Sequence, residues 1–240
     1  TVNLTGIATG GSEVQQLRVT ATSDNTGLIP DPTVTYSSAD PTGTLAFTPV
    51  ADQFGTATVT VTVEDGGLDN NLATPGDNAT TTQTFDVTVN PVNDDPTLDA
   101  ISDININEDA GEQTVNLTGI ATGGSEVQQL QVTATSDNTG LIPDPTVTYS
   151  SADPTGTLAF TPVADQFGTA TVTVTVEDGG LDNNLATPGD NATVVRTFTV
   201  NVAEVNDDPT LDAISDININ EDAGEQTVNL AGIAAGGSEV

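Results

Sequence analysis

The sequence predicts an all-β protein made of tandem seven-stranded antiparallel β-sandwich domains, because it combines a long internal repeat with a two-residue periodicity. The string TVNLTGIATGGSEV opens the chain at Thr1, returns unchanged at Thr114, and returns with two substitutions at Thr227. Successive copies lie 113 residues apart, and residues 1–95 differ from 114–208 at only eight positions. A repeat of this length suits a domain that folds alone. The predicted domains are 1–95, a repeat that lacks its first strand; 96–208, a complete repeat; and 209–240, the N-terminal portion of a third.

Alternation of apolar and polar residues predicts the strands in chain order. QLRVTAT (16–22) places Leu17, Val19 and Ala21 on one face, and ATVTVTVED (57–65) does the same with its valines. Such Val- and Thr-rich runs are typical of half-buried antiparallel strands. The other predicted strands are TVTYSS (33–38) and TLAFTP (44–49), with the turn ADPTG between them, then TQTFDVTV (82–89), and DININ (103–107), which belongs to the second repeat.

The aromatic residues recur in matched pairs and are predicted to fill one core per repeat. They sit mostly in strand register among Val and Leu, which favours burial. An exposed platform that stacks on sugar rings is the alternative interpretation. The eight residues are Tyr36, Phe47, Phe54, Phe85, Tyr149, Phe160, Phe167 and Phe198.

Composition argues against several functional classes. The chain has 35 acidic and two basic residues, for a formal net charge of −33. Such a surface repels nucleic-acid phosphates and anionic lipid head groups, so no nucleic-acid partner is expected. The apolar runs are far shorter than the roughly 18–20 residues that span a bilayer, so no direct membrane insertion is expected. The chain has no His, Lys or Cys, and without these common general bases and nucleophiles it is not expected to be an enzyme.

Three short motifs connect the predicted strands to a known family. The motifs are VNDDP (92–96 and 205–209), NED (107–109 and 220–222) and VEDGG (63–67 and 176–180). With the strands around them, they resemble cadherin repeats, and more closely the bacterial cadherin-like and immunoglobulin-like repeats of large surface adhesins. The resemblance implies an extracellular or cell-surface location and Ca²⁺ ions bound at domain junctions, where they make the string of domains rigid.

The acidic residues are suited to calcium. Asp outnumbers Glu 25 to 10, and the Asp residues gather with Asn at turns, where short side chains can converge. Calcium takes six to eight oxygen ligands from carboxylates and carbonyls. With loops alternating between the two ends of a sandwich, SDN (136–138) and EDGG (177–180) are expected at the end where the chain enters. ADQ (164–166), NED and VNDD are expected at the end where it leaves.

Two metal sites follow from this arrangement, one at each junction between repeats. At the first junction the expected ligands are Asp52, Asn93, Asp94 and Asp95 from the first repeat, and Asp137, Asn138, Glu177 and Asp178 from the second. At the second junction they are Glu108, Asp109, Asp165, Glu204, Asn206, Asp207 and Asp208.

Departures from the family pattern lower the expected number of ions to one or two per junction. Where the cadherin pattern has Asp-x-Glu, this chain has Asp52-Gln53-Phe54, so one carboxylate is missing. Pro91 replaces the first acid of the linker motif, although Glu204 restores it in the second copy. The loop 64–78 is rich in oxygen ligands and is a weaker candidate, with Asp69, Asn71 and Asp77. Acidity that only solvates the surface is the alternative, but the outward strand positions are mainly Thr and Gln.

The expected function is a structural, calcium-rigidified spacer of an extracellular fibre or cell-surface adhesin, without catalysis. The alternative is an array of carbohydrate-binding β-sandwich modules. The expected partners are neighbouring repeats, in a covalent array or by head-to-tail self-assembly, while a surface glycan or host receptor would be bound elsewhere in the full protein. Residues 209–226 repeat the segment 96–113, so either the array continues or one chain's tail supplies a strand to the next.

Overall fold

The computed structural model describes residues 1–237 and divides the chain into two compact units. The first unit comprises Thr1–Asn93 together with Gly124–Glu126, and the second comprises Asp94–Gly123 and the chain from Val127 onward. All secondary-structure elements of the described residues are β-strands. The predicted all-β class is therefore confirmed, while the predicted domain boundaries stay predictions.

The first unit contains six strands in two three-stranded antiparallel sheets. The sheets have the orders β1-β4-β3 and β2-β5-β6. The strands are β1 (Val2–Thr5), β2 (Leu17–Ser23), β3 (Thr33–Thr35), β4 (Thr42–Ala46), β5 (Gly55–Asp65) and β6 (Thr80–Val89).

The second unit contains the predicted seven strands, in sheets of order β10-β11-β8 and β7-β13-β12-β9. Its first strand, β7, pairs with its last strand, β13, and this pair is parallel, from Val200 opposite Ile104 to Ala203 opposite Asn107. The other pairs are antiparallel. The strands are β7 (Ile104–Asn107), β8 (Gln113–Thr118), β9 (Leu130–Ser136), β10 (Thr146–Thr148), β11 (Thr155–Phe160), β12 (Gly168–Asp178) and β13 (Thr193–Ala203).

Strand alternation builds the core of each unit as predicted. Along β12 the residues Val172, Val174 and Val176 are fully buried, and the threonines between them are partly exposed. Burying a valine contributes about 1.5–3 kcal/mol, so β12 is the centre of the second core. Residues 209–226 form no strand within the described part of the chain, and their isoleucines Ile214, Ile217 and Ile219 are 52–60% exposed.

Two of the aromatic residues depart from the predicted core. Phe160 and Phe198 are buried, and Phe85 packs partly buried against the first core. Phe54 and Phe167, in contrast, are 46% and 44% exposed, so the core prediction is wrong for this pair. Each lies immediately before a long strand, at Gly55 and Gly168, where the side chain is outside the alternating pattern that directs residues inward.

The prediction that SDN and EDGG share one end of the sandwich is also wrong. The β9–β12 ladder runs from Leu130 opposite Asp178 to Ser136 opposite Val172. Six residues of strand therefore separate the two loops, which is about 20 Å at 3.4 Å per residue. Three strands (β10, β11 and β12) lie between the loops in sequence, and an odd number of reversals brings the chain to the opposite end.

Candidate metal centre

Three carboxylates from three separate segments meet at the end of the second unit where β13 leaves it. One oxygen from each of Asp109, Asp165 and Asp207 lies within 4.8 Å of the other two. Asp109 follows β7, Asp165 precedes β12, and Asp207 follows β13. The sequence-based expectation that NED, ADQ and VNDD meet at one end is therefore met by one residue from each motif.

The backbone at two of these positions adopts the left-handed conformation. Asp109 has φ 59° and Asp165 has φ 55°. Asp and Asn tolerate this conformation better than other side chains with a Cβ, because their short polar groups bond to nearby backbone. The Asp165 N–H also donates to Asp109 Oδ1 at 3.1 Å, which fixes the two loops against each other.

Glu108 adds a buried carboxylate to the same turn. Its side chain is only 4% exposed, and Oε1 accepts a hydrogen bond from the Val205 N–H at 2.6 Å. The second oxygen, Oε2, is buried with no protein partner. Leaving a buried charged oxygen unsatisfied is costly, so this group calls for a cation or a water molecule beside it.

A glycine pair of the third copy lies against the carboxylates. A Cβ placed on Gly237 would lie 2.0 Å from Asp207 Oδ2 and 3.1 Å from Asp165 Oδ1. Gly236 has φ +98°, and a Cβ there would lie 2.6 Å from the Asp208 carbonyl oxygen. Gly236 has to be glycine, because a Cβ there would meet backbone, whereas a Cβ at Gly237 would displace the Asp207 carboxylate.

The same turn recurs 113 residues earlier in the second unit. Gly123 has φ +96°, and a Cβ there would lie 2.2 Å from the Asp95 carbonyl oxygen and 3.2 Å from Asp94 Cβ. A backbone bridge anchors each turn, with Thr97 donating to Ala121 at 2.8 Å and Thr210 donating to Ala234 at 3.0 Å. Linker and glycine turn therefore form one repeated local structure.

The second unit supplies no positive side chain to neutralise these acids. Its one basic residue is Arg196, whose Nε donates to the Leu98 carbonyl at 3.0 Å. Arg196 lies seven residues before Ala203 on β13, which is about 23 Å along the strand. The Glu108 N–H binds the Ala203 carbonyl, so the guanidinium lies at the far end of the sheet from the carboxylates.

The remaining predicted ligands of the second junction flank the three carboxylates. Glu204, Asn206 and Asp208 are exposed residues of the linker. Asn206 Nδ2 donates to the Asp207 carbonyl oxygen at 3.1 Å. Their assignment as metal ligands stays a prediction.

The predicted ligands of the first junction are divided between the two units. Asp52 and Asn93 belong to the first unit, while Asp94 and Asp95 belong to the second. Asp52 has φ 57°, matching Asp165, and its carbonyl oxygen accepts a hydrogen bond from the Ser125 hydroxyl. The role of these four residues as metal ligands stays a prediction.

The other four predicted ligands of the first junction bond to the protein itself. Asp137 Oδ1 accepts from the Thr171 N–H at 2.7 Å, and Asn138 Nδ2 donates to the Thr169 carbonyl at 3.5 Å. Glu177 Oε1 accepts from the Asn191 side chain at 2.9 Å. Asp178 is fully buried and accepts from two backbone N–H groups. As shown above, these two pairs lie at opposite ends of the β9–β12 ladder.

In the loop 64–78 the carboxylate oxygens likewise accept hydrogen bonds from other groups of the loop. Asp69 Oδ1 accepts from the Asn71 N–H at 3.0 Å, and its Oδ2 accepts from the Thr74 hydroxyl at 2.5 Å. Asp77 Oδ2 accepts from the Leu68 N–H at 2.8 Å. These contacts explain the acidic composition of the loop without an ion.

Sequence reasoning missed the contribution of the Gly-Gly-Ser-Glu segment. Gly236 and Gly237 pack against the linker residues Asp207 and Asp208. The Ser125 hydroxyl donates to the Asp52 carbonyl oxygen, and the acidic residue Glu126 is half-buried. The available signal was the glycine pair itself, which occurs in all three copies of the repeat. An isolated glycine pair often marks a close backbone approach.

No protein-family model matches the chain, and no curated protein sequence matches it. Solved structures do resemble it. Domains 4 and 5 of the S-layer protein SbsC are 22% identical, with TM-score 0.33, over 82% of this chain and 74% of that one. The protocadherin gammaB7 EC3-6 cis-dimer structure is 16% identical, with TM-score 0.43, over 86% and 45%.

A third structure, the human mucin-like protocadherin EC1-2, is 15% identical, with TM-score 0.42, over 84% of this chain and 93% of that one. The chain spans only 22% of the longer rSbsC(31-844) chain. The described residues contain no helix of the length and apolarity needed to cross a membrane.

Proposed function

We propose that this chain is a calcium-stiffened spacer, a segment of an extracellular or cell-surface fibre or adhesin stalk built from tandem β-sandwich repeats. The observation that carries the proposal is the meeting of Asp109, Asp165 and Asp207 within 4.8 Å. Glu108, which directly precedes Asp109 in the sequence, is buried and has one carboxylate oxygen without a protein partner. No catalytic step is assigned to the chain.

Calcium fits this group of oxygens in size and in charge. Ca²⁺ binds oxygens at about 2.3–2.6 Å, so two ligands of one ion can be up to about 5 Å apart, which accommodates the 4.8 Å limit. Two like charges at such a distance repel by on the order of 1 kcal/mol in water and more near a protein. A divalent cation removes that repulsion. In this proposal it also provides a partner for Glu108 Oε2.

A spacer function agrees with the near-identity of the repeats. The first two copies differ at eight positions, and seven of these lie between Thr81 and Pro91. A domain that serves only as a spacer needs no binding site that differs from one repeat to the next. In this proposal each repeat's partner is its neighbour, and calcium fixes the linker Asp207 to the loops that carry Asp109 and Asp165.

Calcium-dependent melting of the 240-residue chain tests the proposal. Extracellular modules bind Ca²⁺ with dissociation constants of roughly 10⁻⁴–10⁻³ M. Free ion at about ten- to a hundredfold excess then stabilises by on the order of 1–3 kcal/mol per site. We expect Ca²⁺ to raise the melting temperature relative to EGTA in calorimetry, and Mg²⁺ to raise it less, because Mg²⁺ requires closer and more regular ligands.

A matched pair of variants separates the site from general acidity. The double variant Asp109→Asn, Asp165→Asn removes two charges and keeps side chains that tolerate the left-handed backbone. The control Asp40→Asn, Asp153→Asn removes two exposed charges at matching positions of the two units, outside this group of carboxylates. The calcium-induced shift should shrink only in the first variant. An equal loss in both, or no shift in the parent chain, would overturn the calcium assignment.

A sugar-binding module is the second candidate, supported by one specific cavity. Phe167, which is 44% exposed, lines a cavity of about 400 Å³ together with Asn105 and Asn201. An exposed ring beside amide groups suits a sugar, but the Asn201 amide already donates to Asn105 Oδ1 at 3.0 Å. A glycan array decides between the two functions. A spacer should bind no glycan at micromolar concentration. A sugar-binding module should bind at least one glycan, and the variant Phe167→Ala should not bind it.

A further inference from the structure

The first and last strands of the second unit are neighbours that run in the same direction. β7 pairs in parallel with β13, from Ile104 to Asn107 on the β7 side. The chain reaches β7 from residues 96–103, and it continues from β13 into the linker 204–208. Because the two strands are parallel, these two connections leave the pair at opposite ends. Tension along the chain therefore pulls β7 and β13 past each other.

Strands that are pulled past each other separate less easily than strands that are peeled apart. The hydrogen bonds of a β-ladder run between the strands, across their axes. Sliding therefore loads all bonds of the pair at the same time, whereas peeling breaks them one after another. Tension also reaches this pair first, because β7 and β13 are the strands that connect the sandwich of the second unit to the chain on either side.

Hydrogen bonds beyond the ladder also join the two strands and the residues that flank them. The donors and acceptors are Arg196 Nε and the Leu98 carbonyl at 3.0 Å, the Thr199 N–H and Asp103 Oδ1 at 2.7 Å, Asn201 Nδ2 and Asn105 Oδ1 at 3.0 Å, and the Val205 N–H and Glu108 Oε1 at 2.6 Å. These bonds extend from before β7 to just beyond it. Sliding would therefore break contacts along the whole pair.

The candidate metal centre lies at the end of the pair where the chain leaves. Asp109 is two residues beyond β7, and Asp207 is four residues beyond β13. Their carboxylates meet with that of Asp165 within 4.8 Å. An ion bound to both Asp109 and Asp207 would connect the ends of the two strands. Pulling β13 outward would draw Asp207 away from Asp109, so such an ion opposes sliding.

We propose that the β7–β13 pair is the contact by which the repeat resists tension along the chain, and that calcium bound at Asp109 and Asp207 strengthens it. The calcium part of this inference rests on the proposed function, whereas the strand geometry does not. A segment of a fibre or stalk carries force whenever its two ends are pulled apart. The repeat should then be strong against force along the chain and weak against force that peels β7 from β13.

Single-molecule force spectroscopy with two pulling directions tests the strand pair. The chain has no Cys, so introduced cysteines fix the points of attachment. Ser102→Cys with Asn218→Cys slides β7 past β13, while Ser102→Cys with Thr197→Cys peels β7 from the part of β13 beside its start. All three side chains are exposed. At the same loading rate we expect a rupture force several times larger in the sliding direction. Equal forces in the two directions would overturn the proposal.

Substitutions on the β7 side test the bonds that join the strands. Asp103→Ala with Asn105→Ala should raise the unfolding rate at fixed sliding force by about tenfold or more, because two hydrogen bonds that break on the way to the barrier are already gone. The control Asn116→Ala with Asp153→Ala changes two exposed residues of the same unit outside the pair, and its rate should match the parent. Equal rates in the two variants would count against the pair.

Calcium and EGTA test the metal part in the sliding direction. We expect a larger rupture force in calcium, and loss of this increase in Asp109→Asn with Asp207→Asn. Calcium that raises the melting temperature but leaves the rupture force unchanged would overturn the strengthening of the pair and leave the proposed function intact. Calcium that changes neither quantity would overturn the calcium assignment itself, while the comparison of sliding and peeling still decides the role of the strands.

Discussion

At the scale of single residues, Glu108 carries an electrostatic cost that the protein alone does not offset. One oxygen binds the Val205 N–H, and the other is buried without a protein partner. We propose that a bound calcium ion also contacts this oxygen, so that the charge of Glu108 is unfavourable without calcium and favourable with it. A substitution that removes only the charge should therefore have opposite effects in the two conditions.

The variant Glu108→Gln tests this reversal of sign. The Gln oxygen can still accept from Val205, while the buried charge is gone. In EGTA we expect a melting temperature equal to or above that of the parent chain. In calcium we expect lower stability, because site affinity depends on the number of charged ligands. Calorimetry in both buffers measures the two melting temperatures, with Asp153→Asn as the control. A loss of stability of equal size in both buffers would show that Glu108 has a purely structural role.

Glu64 gives the first unit a stabilising charge that depends on pH. A hydrogen bond from Asn78, and then one from Arg18, hold the pKa of Glu64 below its ordinary value of 4.5. A depressed pKa in the folded state means that the stabilisation is present above the ordinary carboxyl value. It is lost as the pH falls through the depressed pKa.

Replacing Arg18 should weaken this contribution. The second unit has Gln131 at the matching position, so Arg18→Gln is compatible with the fold. We expect the pKa of Glu64 to rise towards its ordinary value without reaching it, because the Asn78 contact remains at 3.0 Å. NMR titration of the Glu64 carboxyl carbon measures the shift. An unchanged pKa would mean that the exposed guanidinium contributes nothing.

At the scale of elements, the acidic loop between β12 and β13 is organised by carboxylates that act as internal acceptors. Asp178 Oδ1 accepts from the Gly180 N–H and from the Ala192 N–H, each at 2.9 Å. Two backbone donors on opposite sides of the loop are thus satisfied by one buried atom. Buried donors left unsatisfied cost about 1–3 kcal/mol each.

The variant Asp178→Ala should therefore destabilise the second unit by about 2 kcal/mol or more. Asp178→Asn keeps an acceptor oxygen and should cost less. Urea unfolding measures both values, in calcium and in EGTA. Equal costs in the two buffers are expected, because the described contacts of this carboxylate are with the loop. A cost that appears only in calcium would instead support the sequence-based assignment of Asp178 as a metal ligand.

Strand positions could be predicted from the sequence, whereas strand direction and loop placement could not be read as easily. Alternating Val and Thr in β12 identifies the buried face, because side chains on a strand point to opposite faces in turn. The same alternation carries no information on direction, so the parallel pairing of β7 with β13 was not predicted. The SDN and EDGG loops lie at opposite ends because three strands, an odd number, separate them along the chain.

Part of the candidate site could be predicted, because the order of the strands places certain loops at the same end of the sandwich. NED, ADQ and VNDD were expected together, and Asp109, Asp165 and Asp207 do meet. The role of Gly237 depends on a backbone approach that composition alone does not reveal. The sequence predicts Phe167 in the core because the aromatic residues mostly share strand register with Val and Leu, but Phe167 precedes its strand and is exposed.

At the scale of the whole molecule, a net charge of −33 with two basic residues creates two distinct electrostatic effects. Diffuse repulsion between distant surface charges opposes compact folding, and salt screens it, since the Debye length falls from about 10 Å at 0.1 M to about 3 Å at 1 M. Repulsion among Asp109, Asp165 and Asp207 acts within 4.8 Å, which is shorter than the Debye length at 0.1 M. The two effects should therefore respond differently to monovalent and divalent salts.

Melting of the 240-residue chain in a salt series separates them. Raising NaCl from about 0.02 to 0.5 M should increase the melting temperature gradually, because it screens the diffuse charge. Adding about 3 mM CaCl₂ at 0.5 M NaCl changes the ionic strength very little, so a further increase at that point reports specific binding. We expect this increase in the parent chain and its loss in Asp109→Asn, Asp165→Asn. If calcium adds nothing once the NaCl is high, the acidic residues act only through the diffuse field, and the spacer is stiffened by packing alone.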